Sequence, residues 1–309
     1  MTIAFIHPHK SFLQNPKAYA DFFSSYGIRG ILCLPEEARR IRADVAWHFL
    51  GTDTRKDNSR ITIHEYASSS MPPFHSLKNR LKKWVNVRPD FRIFNNRYVS
   101  EAFSFSDGVP SGIREYGIMP IRHMHSVLPE KKYDFLYLGT VGKERRLEKL
   151  FNFFTIGGLC ERSLLVLSQD YRDLARQFRN SANIHFKGPV PYEEVRSYVQ
   201  QCRYGINFMP DVLPFNSQIS AKLLDYSAAG IPVITTDYPW VREFQDRAGG
   251  SFFYLKKDLS NLNWEGVSQF HYQIPDLQEW TWEKQIRKSG VLEFLKTRFD
   301  QLDFERKIN

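Results

Sequence analysis

Short apolar runs, each closed by a polar loop, alternate with segments of helical period in the first third of the chain. The segment PKAYADFFSSYG has helical spacing and follows the first apolar run. Strands are predicted for TIAFIHPH, RGILCLP, DVAWHFLGTD, RITIHEY and FRIFNN. Apolar strands that alternate with helices are typical of a parallel sheet covered on both faces. The first third of the chain therefore predicts an α/β domain.

The same alternation starts again at about Lys132. Strands are predicted for YDFLYLGTVG, SLLVLSQ, NIHFKG and YGINFMP, and helices for ERRLEKLFNFF and PYEEVRSYVQQC. The segment MPIRHMHSVLPEKK has a proline near each end and no clear period, so it is interpreted as a linker. We therefore expect two Rossmann-like domains, residues 1–125 and 126–275, that face each other across a cleft. Residues 276–309 are predicted to be helical and to return to the first domain.

The segment FNSQISAKLLDYSAAGIPVITTDYPWVREF runs from a polar loop through a helix and a buried strand into a second helix. Ser217 is a good N-cap, so the first helix is predicted from about Gln218 to Gly230, with Gly230 in the left-handed conformation. The free amides at a helix N-terminus suit a phosphate, and Lys222 adds a full charge. Asp225, on the same face, is suited to accept hydrogen bonds from two ribose hydroxyls. The alternative, which spacing alone favours, is a surface Lys–Asp pair worth roughly 0.2–0.5 kcal/mol.

Composition and charge narrow the classes of function. With 309 residues, 42% hydrophobic and 25% charged, the chain can bury one large core or two medium ones. Its formal charge of +9 and pI near 9.3 indicate an anionic partner: nucleic acid, an acidic membrane surface or a phosphorylated substrate. We do not expect nucleic acid, because no zinc module or RNA-recognition signature accompanies the charge. Scattered cysteines, the lack of a secretion signal and the lack of a membrane-spanning run favour a cytoplasmic protein.

The segment SAKLLDYSAAGIPVITTD resembles the donor-binding motif of GT-B glycosyltransferases of the glycosyl transferases group 1 superfamily. That motif reads lysine, two apolar residues, an acid, an aromatic residue, small residues, glycine and proline. The segments HFKGPVPYEEVRSYVQQCRYGINFMP and EWTWEKQIRKS are also similar to parts of these enzymes. The likeness covers about Tyr133 to Ser289, whereas the first half matches only in pattern. It implies a two-domain GT-B enzyme with a nucleotide-sugar donor.

The resemblance also implies a set of donor-binding residues. Lys222 would contact the diphosphate, Asp225 the ribose, and the amides around Ser217 to Ser220 the distal phosphate. The turn GTVGKERR would face the diphosphate, although its basic side chains fit a solvated helix start equally well, and the turn after NIHFKG would pass the nucleobase. The implied donor site consists of Ser217, Gln218, Ile219, Ser220, Lys222, Asp225, Gly139, Thr140, Lys143, Arg145, Lys187, Gly188 and Pro189.

The chemistry expected of such a site is metal-independent transfer. In this fold the helix dipole and basic side chains neutralise the phosphates, so no metal is expected and no cofactor besides a UDP- or GDP-linked sugar. Retaining members of the family often carry a glutamate eight residues before the second acid; Ser217 stands there, which favours inversion. An inverting enzyme needs a base on the acceptor hydroxyl, placed after a strand of the first domain. The base candidates are His7, His9, Asp53, His64 and Glu65. A structural role is the commoner alternative for a lone histidine at a strand end.

The segment HSLKNRLKKWVNVR combines an apolar helical face with a basic surround. The apolar residues are Leu77, Leu81, Trp84 and Val85, and the basic residues are Lys78, Arg80, Lys82, Lys83 and Arg88. This composition is typical of an interfacial helix on anionic lipid. Many enzymes of this fold use lipid-linked acceptors, so peripheral attachment to the inner face of the membrane is expected. A helix that faces the core and has a solvated basic side fits the pattern equally.

Together these features predict a glycosyltransferase that moves a sugar from a nucleotide-sugar to a glycan or lipid-linked acceptor in bacterial surface polysaccharide synthesis. A nucleotide-sugar epimerase or hydrolase on the same fold is one alternative, and it would act without an acceptor. A basic nucleic-acid-binding protein is the other, and it depends on net charge alone.

Overall fold

The structure is a computed structural model that describes residues 1–7, 15–49, 52–54, 58–119 and 129–308, without the side chains of 192, 193 and 301–308. The chain divides into two compact units. The first unit comprises Met1–Met119 and Glu279–Asn309, and the second comprises Pro120–Gln278. A parallel sheet with helices forms the described part of each unit, so the predicted α/β class is confirmed.

Six parallel strands form the sheet in the described part of the first unit. They are β1 (Thr2–Ile6), β2 (Arg29–Cys33), β3 (Val45–Phe49), β4 (Ile61–Tyr66), β5 (Phe91–Phe94) and β6 (Ser111–Ile113). The spatial order is β2-β1-β3-β4-β5-β6, so the direction of chain progression reverses between β1 and β3. The predictions of β1 to β5 are confirmed. The apolar pattern does not predict β6, a short edge strand with the sequence SGI.

Six parallel strands also form the sheet in the described part of the second unit. They are β7 (Tyr133–Leu138), β8 (Leu164–Leu167), β9 (Ile184–Lys187), β10 (Cys202–Asn207), β11 (Val233–Thr236) and β12 (Phe253–Leu255). The spatial order is β12-β11-β10-β7-β8-β9, with the reversal between β7 and β10. The predictions of β7 to β11 are confirmed, and the pattern does not predict the three-residue strand β12.

The helices connect these strands. In the described residues they are α1 (Asn15–Ser24), α2 (Pro35–Ala38), α3 (His75–Val85), α4 (Arg97–Phe103), α5 (Glu148–Thr155), α6 (Arg172–Gln177), α7 (Tyr192–Gln200), α8 (Ala221–Ala228), α9 (Pro239–Ala248), α10 (Trp264–Gln269), α11 (Trp282–Lys288) and α12 (Val291–Ile308). Helices α1 to α4, α11 and α12 belong to the first unit, and α5 to α10 to the second. Within the described ranges, no helix is both long and apolar enough to span a bilayer.

Aromatic side chains dominate both cores. In the first unit, the ring of Trp47 lies 5.4 Å from that of Phe5 and 4.3 Å from that of Tyr19, and all three are buried. In the second unit, Phe135 of β7 packs against Phe154 of α5 at 5.3 Å. The strands read as nearly continuous apolar runs because helices cover a parallel sheet and leave neither face exposed to water.

The C-terminal segment is helical, as predicted, but it is interrupted. Gly290 has φ +73° and separates α11 from α12. Ahead of α11, the N–H of Ile118 donates to the carbonyl of Trp280 (2.7 Å), and the N–H of Trp282 donates to the carbonyl of Ile118 (3.1 Å). A Cβ added at Gly117 would lie 2.5 Å from the ring of Trp282, so this close approach requires glycine. These contacts join the C-terminal segment to the first unit.

Candidate functional site

The reversal of strand order in the second unit marks a candidate ligand site. In an open parallel sheet, ligands bind outside the carboxyl ends of the strands at the point where the order reverses. Here that point lies between β7 and β10, which pair in parallel through Phe135 and Tyr204. The turn that follows β7 begins at Gly139, and the loop that follows β10 leads into α8. Most of the donor-site residues implied by the resemblance belong to these two segments.

Helix α8 begins at Ala221, with Ser220 rather than Ser217 as its N-cap. Ser217 instead ends a short 3₁₀ turn, and Gln218 has an extended backbone (φ −86°, ψ 151°). The Oγ of Ser220 accepts the N–H of Leu223 (3.2 Å), which is the N-cap hydrogen bond. The prediction that the helix starts near Gln218 is therefore wrong. The predicted left-handed glycine at its end is confirmed, since Gly230 has φ +75°.

A residue of β10 explains why Ser220 takes the cap. The Oγ of Ser220 donates to the Oδ1 of Asn207 (2.7 Å), and the Nδ2 of Asn207 donates to the Oγ1 of Thr235 in β11 (2.9 Å). All three side chains are buried. This network fixes the first turn of α8 above the sheet, where the N–H groups of Ala221 and Lys222 have no acceptor within the helix. Two backbone donors and the positive end of the helix dipole therefore point out of the helix N-terminus.

Lys222 is half-buried and lies over β7 and the end of β10. Its Nζ is 3.4 Å from both the Oη of Tyr137 and the carbonyl oxygen of Phe208, and 4.5 Å from the centre of the Tyr137 ring. Burial, and then the charge of Arg145, lower the pKa of Lys222 well below its usual range. Lys222 is therefore not the solvated surface lysine of the alternative interpretation. A bound diphosphate would bring negative charge next to this ammonium group.

The turn after β7 brings a second cation to the same place. Gly139 has φ +125°, a backbone conformation that favours glycine, and a side chain there would meet nothing within 4 Å. The Oη of Tyr137 donates to the carbonyl of Thr140 (3.0 Å), and the Nε of Arg145 donates to the Oγ1 of Thr140 (3.1 Å). The Arg145 guanidinium lies 4.2 Å from the centre of the Phe215 ring. The turn after β7 and the first turn of α8 thus hold Arg145 and Lys222 near one another, whereas Lys143 is exposed.

The remaining donor-site candidates are more dispersed. Asp225 is half-buried on the next turn of α8 after Lys222. Lys187, Gly188 and the exposed Pro189 lie at the end of β9, two strands away from β7, which is roughly 10 Å at ordinary strand spacing. The Nζ of Lys187 is 4.7 Å from the Tyr198 ring centre, and the side chain is exposed. Ile219 is buried in the loop before the cap of α8.

Several residues that line this region do not emerge from sequence reasoning. Tyr137, Asn207 and Phe208 contact the key side chains, yet each belongs to a strand or to its immediate end. Met209 also contributes, since its sulfur lies 3.5 Å from the Nη1 of Arg145. Burial raises the pKa of Tyr137 to about 12, so its hydroxyl stays protonated and can donate. The available signal was the aromatic tyrosine within YDFLYL, which predicts only a buried strand.

The first unit holds a cluster of titratable groups at the end of its own sheet. His64 of β4 is fully buried, and its Nε2 lies 3.0 Å from the Oδ2 of Asp53. His48 of β3 pairs in register with His64, and its Nε2 lies 3.8 Å from the same oxygen. Sequence reasoning selects Asp53 and His64 but not His48, which stands inside an apolar run. The strand order reverses next to this cluster, between β1 and β3.

The tautomer of His64 follows from its surroundings. Burial lowers the pKa of His64, so the ring is neutral at pH 7. A neutral imidazole has one donor nitrogen, and the Asp53 carboxylate can only accept. The Nε2 of His64 must therefore carry the proton and form the hydrogen bond to Asp53. The Nδ1 is then the unprotonated nitrogen, and it has no hydrogen-bond partner among the described residues. The hydrogen bond from Nε2 orients the Asp53 carboxylate.

Glu65 lies in a different environment from that of His64. Its carboxylate pairs with the guanidinium of Arg114 and accepts from Asn15 (3.2 Å) and from the indole N–H of Trp47 (3.1 Å). Glu65 is 1% exposed, so these contacts favour a structural role over that of a base. His7, at the end of β1, is buried with its ring 6.2 Å from that of Phe49. His9 lies outside the described residues.

Comparison with known proteins identifies the fold. No model of a known protein family and no curated protein matches the sequence. Solved structures do match along nearly the whole chain. Sucrose-phosphate synthase from Thermosynechococcus elongatus matches with a TM-score of 0.61 and 10% identity, covering 100% of this chain and 99% of that one.

Two other solved structures have similar scores. AviGT4, a glycosyltransferase involved in avilamycin A biosynthesis, matches with a TM-score of 0.59 and 11% identity, over 97% of this chain and 96% of that one. The UDP-GlcNAc 2-epimerase of Methanocaldococcus jannaschii, solved with UDP-GlcNAc and UDP, matches with a TM-score of 0.52 and 11% identity, over 95% and 100%. At such identities the likeness shows the fold alone. The chain has the GT-B fold, as the SAKLLDYSAAGIPVITTD motif predicts.

Proposed function

We propose, from this GT-B fold and from the candidate site at β7 and β10, that the protein transfers a sugar from a nucleotide-sugar donor to an acceptor hydroxyl. The observation that carries the proposal is the convergence of Lys222, Arg145 and the N-terminus of α8 where the strand order reverses. Two cations and two free amides at one place suit a diphosphate. The Gly139 turn adds backbone without side-chain bulk, which lets an anion approach closely.

Each group has a proposed role in transfer. Lys222 and Arg145 neutralise the diphosphate, and the amides of Ala221 and Lys222 bind its oxygens. Negative charge therefore develops on the leaving diphosphate in a site that is already positive. This lowers the activation free energy of transfer without a metal ion. Asp225 accepts hydrogen bonds from the ribose hydroxyls, and the turn at Gly188 passes the nucleobase of a UDP- or GDP-linked sugar.

The proposed base is Asp53 of the first unit, and the proposed stereochemical course is inversion. The neutral His64 donates to one carboxylate oxygen of Asp53, which orients the group without protonating it. The Nε2 of His48 lies 3.8 Å from the same oxygen, so a second imidazole stands beside the proposed base. In an inverting displacement, Asp53 would take the acceptor proton as the hydroxyl oxygen attacks the anomeric carbon and the nucleoside diphosphate leaves.

The acceptor is proposed to be a glycan or a lipid-linked glycan of bacterial surface polysaccharide synthesis. The exposed apolar residues of α3 support the lipid-linked form and a position on the inner face of the membrane. The reaction class does not depend on this choice, because the acceptor needs only a hydroxyl group.

A nucleotide-sugar epimerase is the second candidate function. The observation in its favour is the structural similarity, at a TM-score of 0.52, to an epimerase that was solved with UDP-GlcNAc and UDP. Such an enzyme would use the same diphosphate site, but it would change the sugar without consuming an acceptor.

The two candidates are separated by a product assay. The protein is incubated with a panel of UDP-, GDP- and dTDP-sugars, with and without a mixture of lipid-linked and soluble glycan acceptors. A transferase releases nucleoside diphosphate in proportion to acceptor consumed, whereas an epimerase yields a new sugar nucleotide with no acceptor present. If Lys222→Ala loses the transferase or epimerase activity and the exposed-lysine control Lys149→Ala retains it, that activity is assigned to this site. Equal activity in Lys222→Ala and wild type would contradict the proposal.

A further inference from the structure

Helix α3 presents its large apolar side chains to solvent. Leu77 is 65% exposed, Leu81 59% and Trp84 87%, and Phe74, immediately before the helix, is 74% exposed. The sequence pattern fits a core-facing helix equally well, but these exposures exclude it. Four large apolar side chains on one short segment form a contiguous apolar patch, which on a soluble protein marks an interaction site.

The polar side of α3 is what anchors it to the protein. Asn79 is the buried residue of this helix. Its Oδ1 accepts the N–H of Ser70 (3.0 Å), and its Nδ2 donates to the carbonyl of Ala102 (3.2 Å). Lys83 adds a bond from its Nζ to the carbonyl of Ser104 (2.6 Å). The helix is therefore fixed with amide contacts inward and apolar side chains outward, the reverse of an ordinary surface helix.

The charged residues of α3 all have one sign. The sequence of α3, HSLKNRLKKWV, contains four basic residues and no acidic residue. Lys78 and Arg80 are exposed, and Lys82 and Lys83 are half-buried. Burial, and then the charge of Lys78, lower the pKa of Lys82. Such a surface attracts a partner that is both apolar and anionic.

We propose that α3, together with Phe74, docks the first unit onto an anionic lipid surface. The exposed leucines and Trp84 would enter the boundary between headgroups and acyl chains, while Lys78 and Arg80 would contact lipid phosphates. A protein partner fits less well, because lysine is depleted from protein interfaces. The proposal depends on burial and charge complementarity, and it holds whether or not the protein transfers sugars.

Residues at the C-terminal end of α3 form hydrogen bonds with the backbone of Asp53, the proposed base. Asn86 caps the C-terminus of α3, and its Oδ1 accepts the N–H of Asp53 (2.9 Å). The N–H of Val87 donates to the carbonyl of Asp53 (2.8 Å). A membrane bound by α3 would therefore lie near the loop of Asp53, which suits an acceptor held in the bilayer. This last step depends on the proposed function, whereas docking itself does not.

Vesicle co-sedimentation without any sugar nucleotide tests the docking. Wild-type protein should sediment with vesicles of equal parts phosphatidylcholine and phosphatidylglycerol, not with phosphatidylcholine alone. Lys78→Gln with Arg80→Gln should weaken binding by about 25-fold, since each basic residue near an anionic surface contributes about fivefold. The combined change Leu77→Ser, Leu81→Ser and Trp84→Ser should abolish sedimentation while the melting temperature is retained, because these side chains are exposed.

Matched controls keep the result specific to α3. Ile156→Ser removes a side chain that is 88% exposed in the second unit, and Arg176→Gln with Lys257→Gln removes two exposed charges there. Both controls should bind vesicles like wild type. Three results would overturn the proposal: no wild-type binding to anionic vesicles, undiminished binding by the triple-serine variant, or equal loss in the controls. A wild-type dimer that the triple-serine change converts to monomer, without vesicle binding, would assign the patch to self-association instead.

Discussion

The two units place different chemistry at equivalent positions of similar sheets. In both, the carboxyl ends of parallel strands meet where the strand order reverses, between β1 and β3 in the first unit and between β7 and β10 in the second. The second unit sets two cations, a glycine turn and a helix N-terminus at this point, which together suit an anion. The first unit sets Asp53, His48 and His64 there, which suit the transfer of a proton. The sheet positions the site in each case, and the loops decide what the site can do.

The two units also differ in the groups that surround their buried charged side chains. In the second unit, burial and then the charge of Arg145 lower the pKa of Lys222. In the first unit the carboxylate of Glu65 is fully paired by Arg114, Asn15 and Trp47. A buried lysine beside a second cation is suited to bind an anionic ligand, whereas a satisfied ion pair is suited to stabilise a fold.

The largest expected effect concerns Glu65, whose buried contacts favour a structural role. Glu65→Gln should lower the free energy of unfolding by about 3–5 kcal/mol, because it leaves the buried Arg114 guanidinium without a counter-charge. The matched control is Glu101→Gln, which breaks the exposed Arg97–Glu101 pair and should change stability by less than about 0.5 kcal/mol. Denaturant titration measures both. Equal, small effects would mean that the buried pair does not stabilise the first unit.

Asp53 should show the opposite balance between activity and stability. Asp53→Asn keeps an oxygen that accepts from His64 but removes the proton acceptor, so turnover should fall by about 10²–10⁴-fold. Donor affinity should stay near the wild-type value, because the proposed donor site belongs to the second unit. Steady-state kinetics and a thermal melt are the measurements. Full activity in Asp53→Asn would exclude it as the base, and a large loss of stability would give it the role assigned here to Glu65.

The smallest expected effect is a pH dependence of stability that arises at His64. Because burial lowers its pKa in the folded protein, the unfolded chain binds the extra proton first as the pH falls. Stability is therefore lost below about pH 6.5, by at most about 1.4 kcal/mol per pH unit. His64→Gln retains a donor for Asp53 but does not titrate, so its stability should fall less between pH 7.5 and 5.5. Identical pH profiles would contradict the assignment of a neutral His64.

The strands could be predicted from sequence because burial on both faces leaves continuous apolar runs. The short edge strands β6 and β12 could not, since three residues such as SGI give no pattern. The start of α8 was missed for a different reason. Ser217 and Ser220 are equally good caps by residue type, and the choice between them is made by Asn207, a residue of another strand.

Residues of the candidate sites could be predicted only where a local sequence motif contains them. The motif identifies Lys222, but its contacts with Tyr137 and Phe208 depend on how β7 and β10 pair. His48 joins Asp53 and His64 through the register of β3 and β4, which no local pattern encodes. Likewise, the amphipathic pattern of α3 defines an apolar face but does not tell whether that face meets the core or the solvent.

The most direct test of the account is calorimetric titration at Lys222. Wild type, Lys222→Ala, Asp225→Ala and the exposed-lysine control Lys149→Ala are each titrated with UDP, GDP and the corresponding nucleosides. Lys222→Ala should lose about ten- to a hundredfold in diphosphate affinity, since a charge-assisted hydrogen bond contributes roughly 1.5–3 kcal/mol, and it should bind nucleoside normally.

Asp225→Ala should weaken nucleoside and diphosphate alike, because both ligands contain the ribose, and Lys149→Ala should match wild type. The melting temperature of Lys222→Ala should not fall, because burial disfavours the charged lysine in the free protein. This pattern would establish the reversal between β7 and β10 as the nucleotide site. Wild-type affinities in both Lys222→Ala and Asp225→Ala would contradict the central claim.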